Sequence, residues 1–235
     1  MKITLLTVYF WLMAMSGTLI TTILGIIVYP FMNQKTFTRF HEVVIGTFML
    51  KVMTIPGFWS FKIKNLNNID KNQRYIFIAN HRSFIDTILC AQIPFSKKFI
   101  MKESVGKIPL FGHLCLMAGH VPVNSKDQTS RKSAIARSIE AMKDGSSFMI
   151  YPEGTRSKDN KLLPFKTGAF RLAQKAGIPI VPLVLKNTQI AMPIGGMCQK
   201  ADLEINIGTP ILVGSKWEDI QKAINESREF MEQHL

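Results

Sequence analysis

The chain has 235 residues, of which 47% are hydrophobic and only 19% are charged. This composition excludes a disordered, collagen-like or coiled-coil protein, and the length suits one α/β domain of ordinary size with a short appendage. Lysine and arginine number 29 against 16 acidic residues, which gives a formal net charge of +13. A chain that is both apolar and basic indicates an anionic membrane surface, an acidic small molecule or nucleic acid as its partner.

The amino end carries the longest apolar run of the sequence. No charged residue occurs from Ile3 to Gln34, and this run exceeds the roughly 18 residues that indicate a membrane-spanning helix. A cleaved signal peptide is disfavoured because the apolar stretch continues to Val28. A second apolar stretch, from Val43 to Phe61, is interrupted by Lys51 and by Pro56-Gly57. It predicts an interfacial helix or a re-entrant piece.

Two arrangements of this amino end stay open: one span followed by a surface helix, or a two-helix hairpin sunk in one leaflet. We assign residues 1–61 to membrane-anchoring helices and residues 62–235 to the main domain. Basic side chains are more frequent after the first apolar run than before it. The positive-inside rule therefore predicts a membrane protein whose main domain lies on the cytoplasmic side, at the inner membrane if the source is bacterial.

Beyond residue 62, short apolar runs alternate with amphipathic segments. Strands that alternate with helices predict an α/β fold, with a mixed, mostly parallel sheet flanked by helices. The predicted strands are Tyr75–Ala79, Lys98–Met101, Val121–Val123, Phe148–Tyr151, Ile178–Leu185 and Leu203–Ile207. The predicted helices are Thr87–Ile93, Leu110–Met117, Asp127–Lys143, Thr167–Ala176 and Trp217–Glu232.

A first polar cluster, Asn80 to Asp86, directly follows a predicted strand. In an open α/β sheet this edge is where ligands bind. His81 lies in the turn, and the carboxylate of Asp86 can fold back onto one ring nitrogen, which leaves the other nitrogen as a general base. The alternative is that Ser83 and Asp86 form a capping box that only stabilises a helix start.

A second polar cluster, Tyr151 to Ser157, also follows a predicted strand. Gly154 allows a sharp turn and the close approach of a ligand. Arg156 offers a planar guanidinium that suits a phosphate. Taken alone, the segment is equally compatible with a surface turn that carries a solvated arginine.

Several chemistries are not expected from the motifs. The sequence contains no Gly-x-Ser-x-Gly elbow, phosphate-binding P-loop or dinucleotide fingerprint. Basic residues predominate between positions 95 and 175, but no nucleic-acid reading motif accompanies them, so nucleic acid is not an expected partner. The three cysteines are scattered, and His113 and Cys115 have no second ligand pair nearby in sequence. We therefore expect neither a disulfide framework nor a metal site.

Four blocks of the sequence, taken together, resemble the lysophospholipid acyltransferases of the 1-acyl-glycerol-3-phosphate acyltransferase family. The blocks are NHRSFID, with His81 and Asp86; MKESVGKIPLFG, with Lys102; YPEGTRS followed by PFKTGAF, with Glu153, Gly154, Thr155, Arg156 and Lys166; and the proline-containing stretch IPIVPL. The likeness covers residues 63–209. One departure is that the family usually shows an Asp-Arg pair after the second block, where this chain has Asn124 and Ser125.

The resemblance implies a glycerolphosphate acyltransferase-like fold over residues 62–235 and a membrane-bound enzyme without a cofactor. It would transfer a fatty acyl group from acyl-CoA or acyl carrier protein to lysophosphatidic acid. By resemblance, His81 is the base, Asp86 orients it, and Lys102 and Gly154 stabilise the oxyanion. The resemblance places the acceptor phosphate near Arg156, Glu153, Thr155 and Lys166, with Lys126 or Arg131 replacing the missing arginine. Another lysolipid, a hydrolase or transacylase reaction, and a non-enzymatic basic membrane protein stay open as alternatives.

Overall fold

The computed structural model describes residues 2–53, 59–159 and 161–235. The strands are β1 (Trp59–Lys64), β2 (Ile76–Ala79), β3 (Lys97–Lys102), β4 (Val121–Val123), β5 (Ser147–Ile150), β6 (Ile180–Lys186) and β7 (Ala201–Ile207). The helices are α1 (Lys2–Val28), α2 (Gln34–Met53), α3 (Asp86–Ala91), α4 (Glu103–Gly106), α5 (Phe111–Met117), α6 (Gln128–Ala141), α7 (Gly168–Ala176), α8 (Thr188–Ala191) and α9 (Trp217–His234). Short 3-10 turns occur at Tyr29–Phe31, Leu66–Asn68 and Met142–Asp144.

The strands form one seven-stranded sheet in the order β1-β7-β6-β2-β5-β3-β4. All neighbouring pairs are parallel except β6 and β7, which are antiparallel. The carboxyl ends of β2, β5, β3 and β4 therefore lie side by side along one edge of the sheet. The predicted mixed, mostly parallel α/β fold is confirmed, and each strand and helix predicted beyond residue 62 matches the structure to within two residues at its ends.

The sheet is covered on both faces, as its strand composition requires. On β2, Phe77 and Ala79 belong to one buried cluster, whereas Ile76 and Ile78 belong to the other. The first cluster includes residues of α1 and α3, and the second includes residues of α6, α7 and α9. A strand that is apolar on both faces is the expected pattern for a parallel sheet packed between helical layers.

The sequence patterns did not predict β1. Trp59 was assigned to a membrane-associated stretch, but it is buried in the strand that pairs with β7, at the far end of the chain. Its apolar side chain packs on the core, and local sequence carries no information about a partner that lies so far along the chain. The predicted domain boundary after Phe61 falls inside β1. Pro56-Gly57, which was predicted to break the second apolar stretch, lies outside the described residues.

Helix α1 contacts the main domain near both of its ends. Near its start, Thr7 Oγ1 accepts a hydrogen bond from the backbone amide of Cys198 at 3.0 Å, and the ring of Trp11 lies 5.5 Å from that of Phe84. Near its end, Gly25 packs so closely on Leu114 that an added Cβ would lie 2.5 Å from the leucine. The segment Thr7–Phe31 has a mean hydropathy of 1.9 and is long enough to cross a membrane. It nevertheless contacts the domain near both of its ends.

Helix α2 is joined to the sheet through buried polar contacts. The Lys97 ammonium lies 3.1 Å from the Glu42 carboxylate, and both side chains are buried. Thr38 Oγ1 donates a hydrogen bond to the Ala118 carbonyl at 2.9 Å. On the next residue of β3, the Lys98 ammonium lies 2.7 Å from Asp144. Charged groups that lose water need such partners, so these pairs fix the register between α2, β3 and the turn before β5.

Candidate active site

A histidine and a carboxylate lie in contact where β2 ends. His81 follows the strand by two residues, and its Nδ1 is 2.7 Å from Oδ2 of Asp86, the first residue of α3. The Asp86 side chain is completely buried, whereas the His81 side chain retains 20% exposure. An ionised carboxylate accepts hydrogen bonds only, so Nδ1 carries the proton and Nε2 presents its lone pair. This arrangement suits a general base.

The Asp86 carboxylate is fixed by more than the imidazole. Oδ2 also accepts hydrogen bonds from the backbone amides of Arg82 at 2.7 Å and Ser83 at 2.8 Å. The contact with Ser83 is one half of the capping box that the sequence suggested, but the Ser83 hydroxyl donates to the Met192 carbonyl. The carboxylate thus both folds the turn and orients His81, and the two alternatives drawn from the sequence are not exclusive.

Glu153 connects the second motif to the first. Its Oε1 accepts the backbone amide of His81 at 2.8 Å, and its Oε2 accepts the amide of Leu163 at 2.9 Å. The carboxylate is buried; burial raises the pKa of Glu153, and the hydrogen bonds from the two amides oppose the rise. The amide of Ser157 also donates to the His81 carbonyl at 2.8 Å. The backbone on both sides of the histidine is therefore held by the second motif.

The basic residues of the second motif surround Gly154. This glycine has φ +70°, and a Cβ at this position would lie 2.5 Å from Lys166 Nζ, so the lysine side chain extends over it. Thr155, Arg156 and Lys166 are exposed. The structure thus exposes a guanidinium, an ammonium and a hydroxyl next to Glu153 and Ser157, the buried residues that hold the backbone of His81. Charge-assisted donors of this kind suit a phosphate.

Glu153 does not share this exposed surface. Both of its carboxylate oxygens point inward onto backbone amides, as described above, and a carboxylate repels a phosphate. The geometry gives Glu153 a structural role in joining the two motifs. A role of Glu153 in phosphate binding stays a prediction.

The remaining predicted residues lie further along the same sheet edge. Lys102 ends β3 and is exposed. The segment with Asn124 and Ser125 follows β4, three strands from β2, which corresponds to roughly 14 Å at the usual strand spacing. There the Arg131 guanidinium donates to the Ser125 carbonyl at 2.7 Å, and the Lys126 amide donates to Asn124 Oδ1 at 3.1 Å. Their roles in binding phosphate stay predictions.

Two residues next to the dyad were not singled out from the sequence. Arg82 is buried, and burial lowers its pKa, while attraction to the carboxylates of Glu153, Asp86 and Asp159 opposes that change. Tyr151 stacks its ring on the imidazole of His81. Their positions inside the two motifs were the available signal, because Arg82 directly follows His81 and Tyr151 lies two residues before Glu153.

A buried cluster away from the dyad also escaped sequence reasoning. Cys115 was expected to lack ligand partners, but the structure places it beside His41 and His120, with one potential ligand atom of each within 4.8 Å of the others. Burial lowers the pKa of His41 to about 4, so its ring is neutral. His120 Nδ1 accepts the Phe99 amide at 3.3 Å, which puts the proton of its neutral ring on Nε2 and disfavours a metal there. The expectation that no metal binds stays a prediction.

Comparison with known proteins defines the class to which this fold and site belong. The acyltransferase family model matches residues 60–186, more than half of the chain, and the chain belongs to this family. The structure is similar to the crystal structure of the 1-acyl-sn-glycerophosphate acyltransferase of Thermotoga maritima, with a TM-score of 0.82 and 26% identity over 99% of this chain and 95% of that one. The sequence resemblance is thereby confirmed.

Curated relatives carry the same activity in their names. The chain is 34% identical over 212 residues to a chloroplastic 1-acyl-sn-glycerol-3-phosphate acyltransferase of Brassica napus, which covers 88% of this chain and 61% of the relative. It is 36% identical over 115 residues to the 1-acyl-sn-glycerol-3-phosphate acyltransferase of Escherichia coli K12, with 48% of this chain and 47% of the relative covered. The chain thus spans about three fifths of the length of the Brassica relative.

Proposed function

We propose that this chain transfers a fatty acyl group from an acyl thioester to the free sn-2 hydroxyl of 1-acyl-glycerol-3-phosphate, giving phosphatidic acid. The observation that carries the proposal is the His81–Asp86 contact, with Nε2 presented at a sheet edge that also displays Arg156 and Lys166. A base beside exposed cationic side chains suits a substrate that carries both a hydroxyl and a phosphate. The names of the relatives support the same acceptor.

The chemistry follows from the positions of the protons. His81 Nε2 takes the proton from the sn-2 hydroxyl as its oxygen attacks the thioester carbonyl, so a carbon–oxygen bond forms. The buried Asp86 carboxylate stabilises the imidazolium that results. When the tetrahedral intermediate collapses, the carbon–sulfur bond breaks and the thiolate takes the proton from His81. The products are the ester and the free thiol, and the histidine returns to its starting state.

Positive charge is available for both anionic groups of this reaction. Arg156, Thr155 and Lys166 lie on the exposed side of the Gly154 loop and would hold the acceptor phosphate. Lys102 at the end of β3, together with backbone amides near Gly154, would stabilise the oxyanion of the intermediate. Glu153 would act indirectly, by fixing the backbone of the base.

We further propose that α1 and α2 attach the protein to one leaflet. If α1 spanned the membrane, its two ends would lie on opposite sides of a hydrocarbon core roughly 30 Å thick. Both ends of α1 contact the same domain, through Thr7 with Cys198 and through Gly25 with Leu114. Exposed Leu, Ile and Met side chains on α1 would enter the lipid instead. The acceptor could then reach the dyad directly from the bilayer.

The test uses the full chain in lipid nanodiscs. Lysophosphatidic acid, lysophosphatidylcholine and lysophosphatidylethanolamine are each supplied with oleoyl-CoA or oleoyl-acyl carrier protein, and the products are identified by lipid mass spectrometry. We expect phosphatidic acid as the main product and a loss of 10²–10⁴-fold in His81→Ala, the usual cost of losing a general base. Acylation of another lysolipid only, release of free fatty acid only, or full activity in a folded His81→Ala protein would reject the proposal.

A further inference from the structure

The imidazole of His81 is covered on one face by an aromatic ring. The centroids of the His81 and Tyr151 rings are 4.0 Å apart, and their planes are inclined by only 13°. Tyr151 comes directly after β5, the strand adjacent to β2 in the sheet. Because neighbouring parallel strands end at the same edge, the ring that follows β5 meets the histidine that follows β2.

The far end of the tyrosine is held by α3. The hydroxyl donates to Cys90 Sγ at 3.7 Å and lies 3.3 Å from Thr87 Oγ1, which can donate to it in turn. Both partners belong to the helix whose first residue is Asp86. The tyrosine thus bridges the helix that supplies the carboxylate and the ring that the carboxylate orients.

We propose that Tyr151 is a positioning residue that holds the plane of the His81 imidazole, so that Nε2 faces the acceptor hydroxyl. Asp86 fixes one edge of the ring through Nδ1 but leaves rotation about that contact possible. A stacked ring removes this freedom, since any tilt of the imidazole moves it into or away from the tyrosine. The aromatic face also favours the imidazolium that forms during the reaction.

The phenol itself takes no part in proton transfer. Burial raises the pKa of Tyr151 well above its ordinary value, so the hydroxyl stays protonated. Its oxygen is directed at α3 rather than at the exposed edge of His81. The role therefore belongs to the ring, and phenylalanine should replace it with little loss.

The kinetic part of the test rests on the proposed function, whereas the chemical part is independent of it. Tyr151→Leu should lower kcat roughly tenfold, the size of one stacked aromatic contact, with both KM values within about twofold. Tyr151→Phe should stay within about threefold of the unchanged protein. The matched control is Phe230→Leu, which removes a ring 4.5 Å from His234 on the other face of the sheet and should leave kcat unchanged.

The chemical part measures the accessibility of the imidazole. Diethyl pyrocarbonate modification is mapped by mass spectrometry in each folded variant, and we expect faster modification of His81 in Tyr151→Leu only. An unchanged His81 rate in that variant, a loss confined to KM, or an equal loss in Tyr151→Phe would overturn the proposal. If the unchanged protein acylates no lysolipid, the proposed function fails, while the modification rates still decide the position of the ring.

Discussion

Glu153 offers a way to separate a structural role from a role in binding phosphate. Its two oxygens accept the amides of His81 and Leu163, at 2.8 and 2.9 Å, in a buried site. In Glu153→Gln one oxygen becomes an amide nitrogen that faces an N–H donor. One buried backbone amide then loses its partner, which costs about 1–3 kcal/mol. Glu153→Ala removes both acceptors and should cost about 2–6 kcal/mol on the same reasoning.

These energies have a kinetic consequence because one of the two amides belongs to the base. Glu153→Gln should lower kcat, since the backbone of His81 is no longer fixed, while the KM for lysophosphatidic acid should stay within about twofold. The assay is steady-state kinetics with both substrates varied, together with thermal unfolding in detergent followed by tryptophan fluorescence. We expect the Tm to fall by several degrees in Glu153→Gln and by more in Glu153→Ala.

The opposite pattern would refute this reasoning. If Glu153→Gln raised the KM for lysophosphatidic acid tenfold while Tm and kcat stayed unchanged, the carboxylate would be acting on the substrate, as the sequence resemblance implied. Arg156→Ala is the matched comparison, because this exposed residue of the same loop should alter KM without altering Tm.

One exposed arginine, the apolar face of α1 and one ion pair of β3 can each be tested by substitution. Arg156→Ala should raise the acceptor KM about ten- to a hundredfold, because a contact with a charged group contributes about 1.5–3 kcal/mol, and Arg156→Lys should raise it less. An effect on the thioester KM alone would assign Arg156 to the binding site of the acyl donor. The double variant Leu12→Lys and Ile20→Lys, at residues 62% and 61% exposed, should reduce flotation with liposomes, whereas Leu212→Lys, at 73% exposure on the domain, should not. Equal flotation of the unchanged protein and both variants would contradict the one-leaflet attachment. Burial raises the pKa of Asp144, but its lysine and amide partners outweigh this effect and hold the pKa below its ordinary value. Asp144→Asn should therefore lower the free energy of unfolding by about 2–4 kcal/mol at pH 7. This difference from the unchanged protein should shrink as the pH falls through the lowered pKa, and unfolding measured at several pH values checks it.

The sequence predicted the elements whose signal is local. Helix α6 is an example, because its apolar spacing and the Asp127 cap both lie within the segment, and the Asp127 side chain accepts the amides of Thr129 and Ser130. Strand β1 was missed because its evidence is its pairing with β7. The antiparallel arrangement of β6 and β7 was missed for the same reason.

The same distinction between local and long-range signals applies to the candidate site. The His81–Asp86 pair could be predicted because Asp86 lies only five positions after His81 and a single turn brings the two groups together. The inward direction of Glu153 could not be predicted, since it depends on amides in two separate loops. The stacking of Tyr151 depends on the order of strands in the sheet, and the sequence predicted that sheet without its strand order.

The position of the dyad relative to the membrane helix connects the fold with the proposed reaction. Phe84 lies between His81 and Asp86 in the chain, and its exposed ring contacts Trp11 of α1. The turn that carries the base is therefore attached to the helix that we place in one leaflet. A lysolipid whose acyl chain stays in the bilayer presents its hydroxyl and phosphate at the level of the headgroups, next to this turn. On the proposed function, the apolar helix thus does more than hold the protein at the surface: it sets the height at which the base meets its substrate.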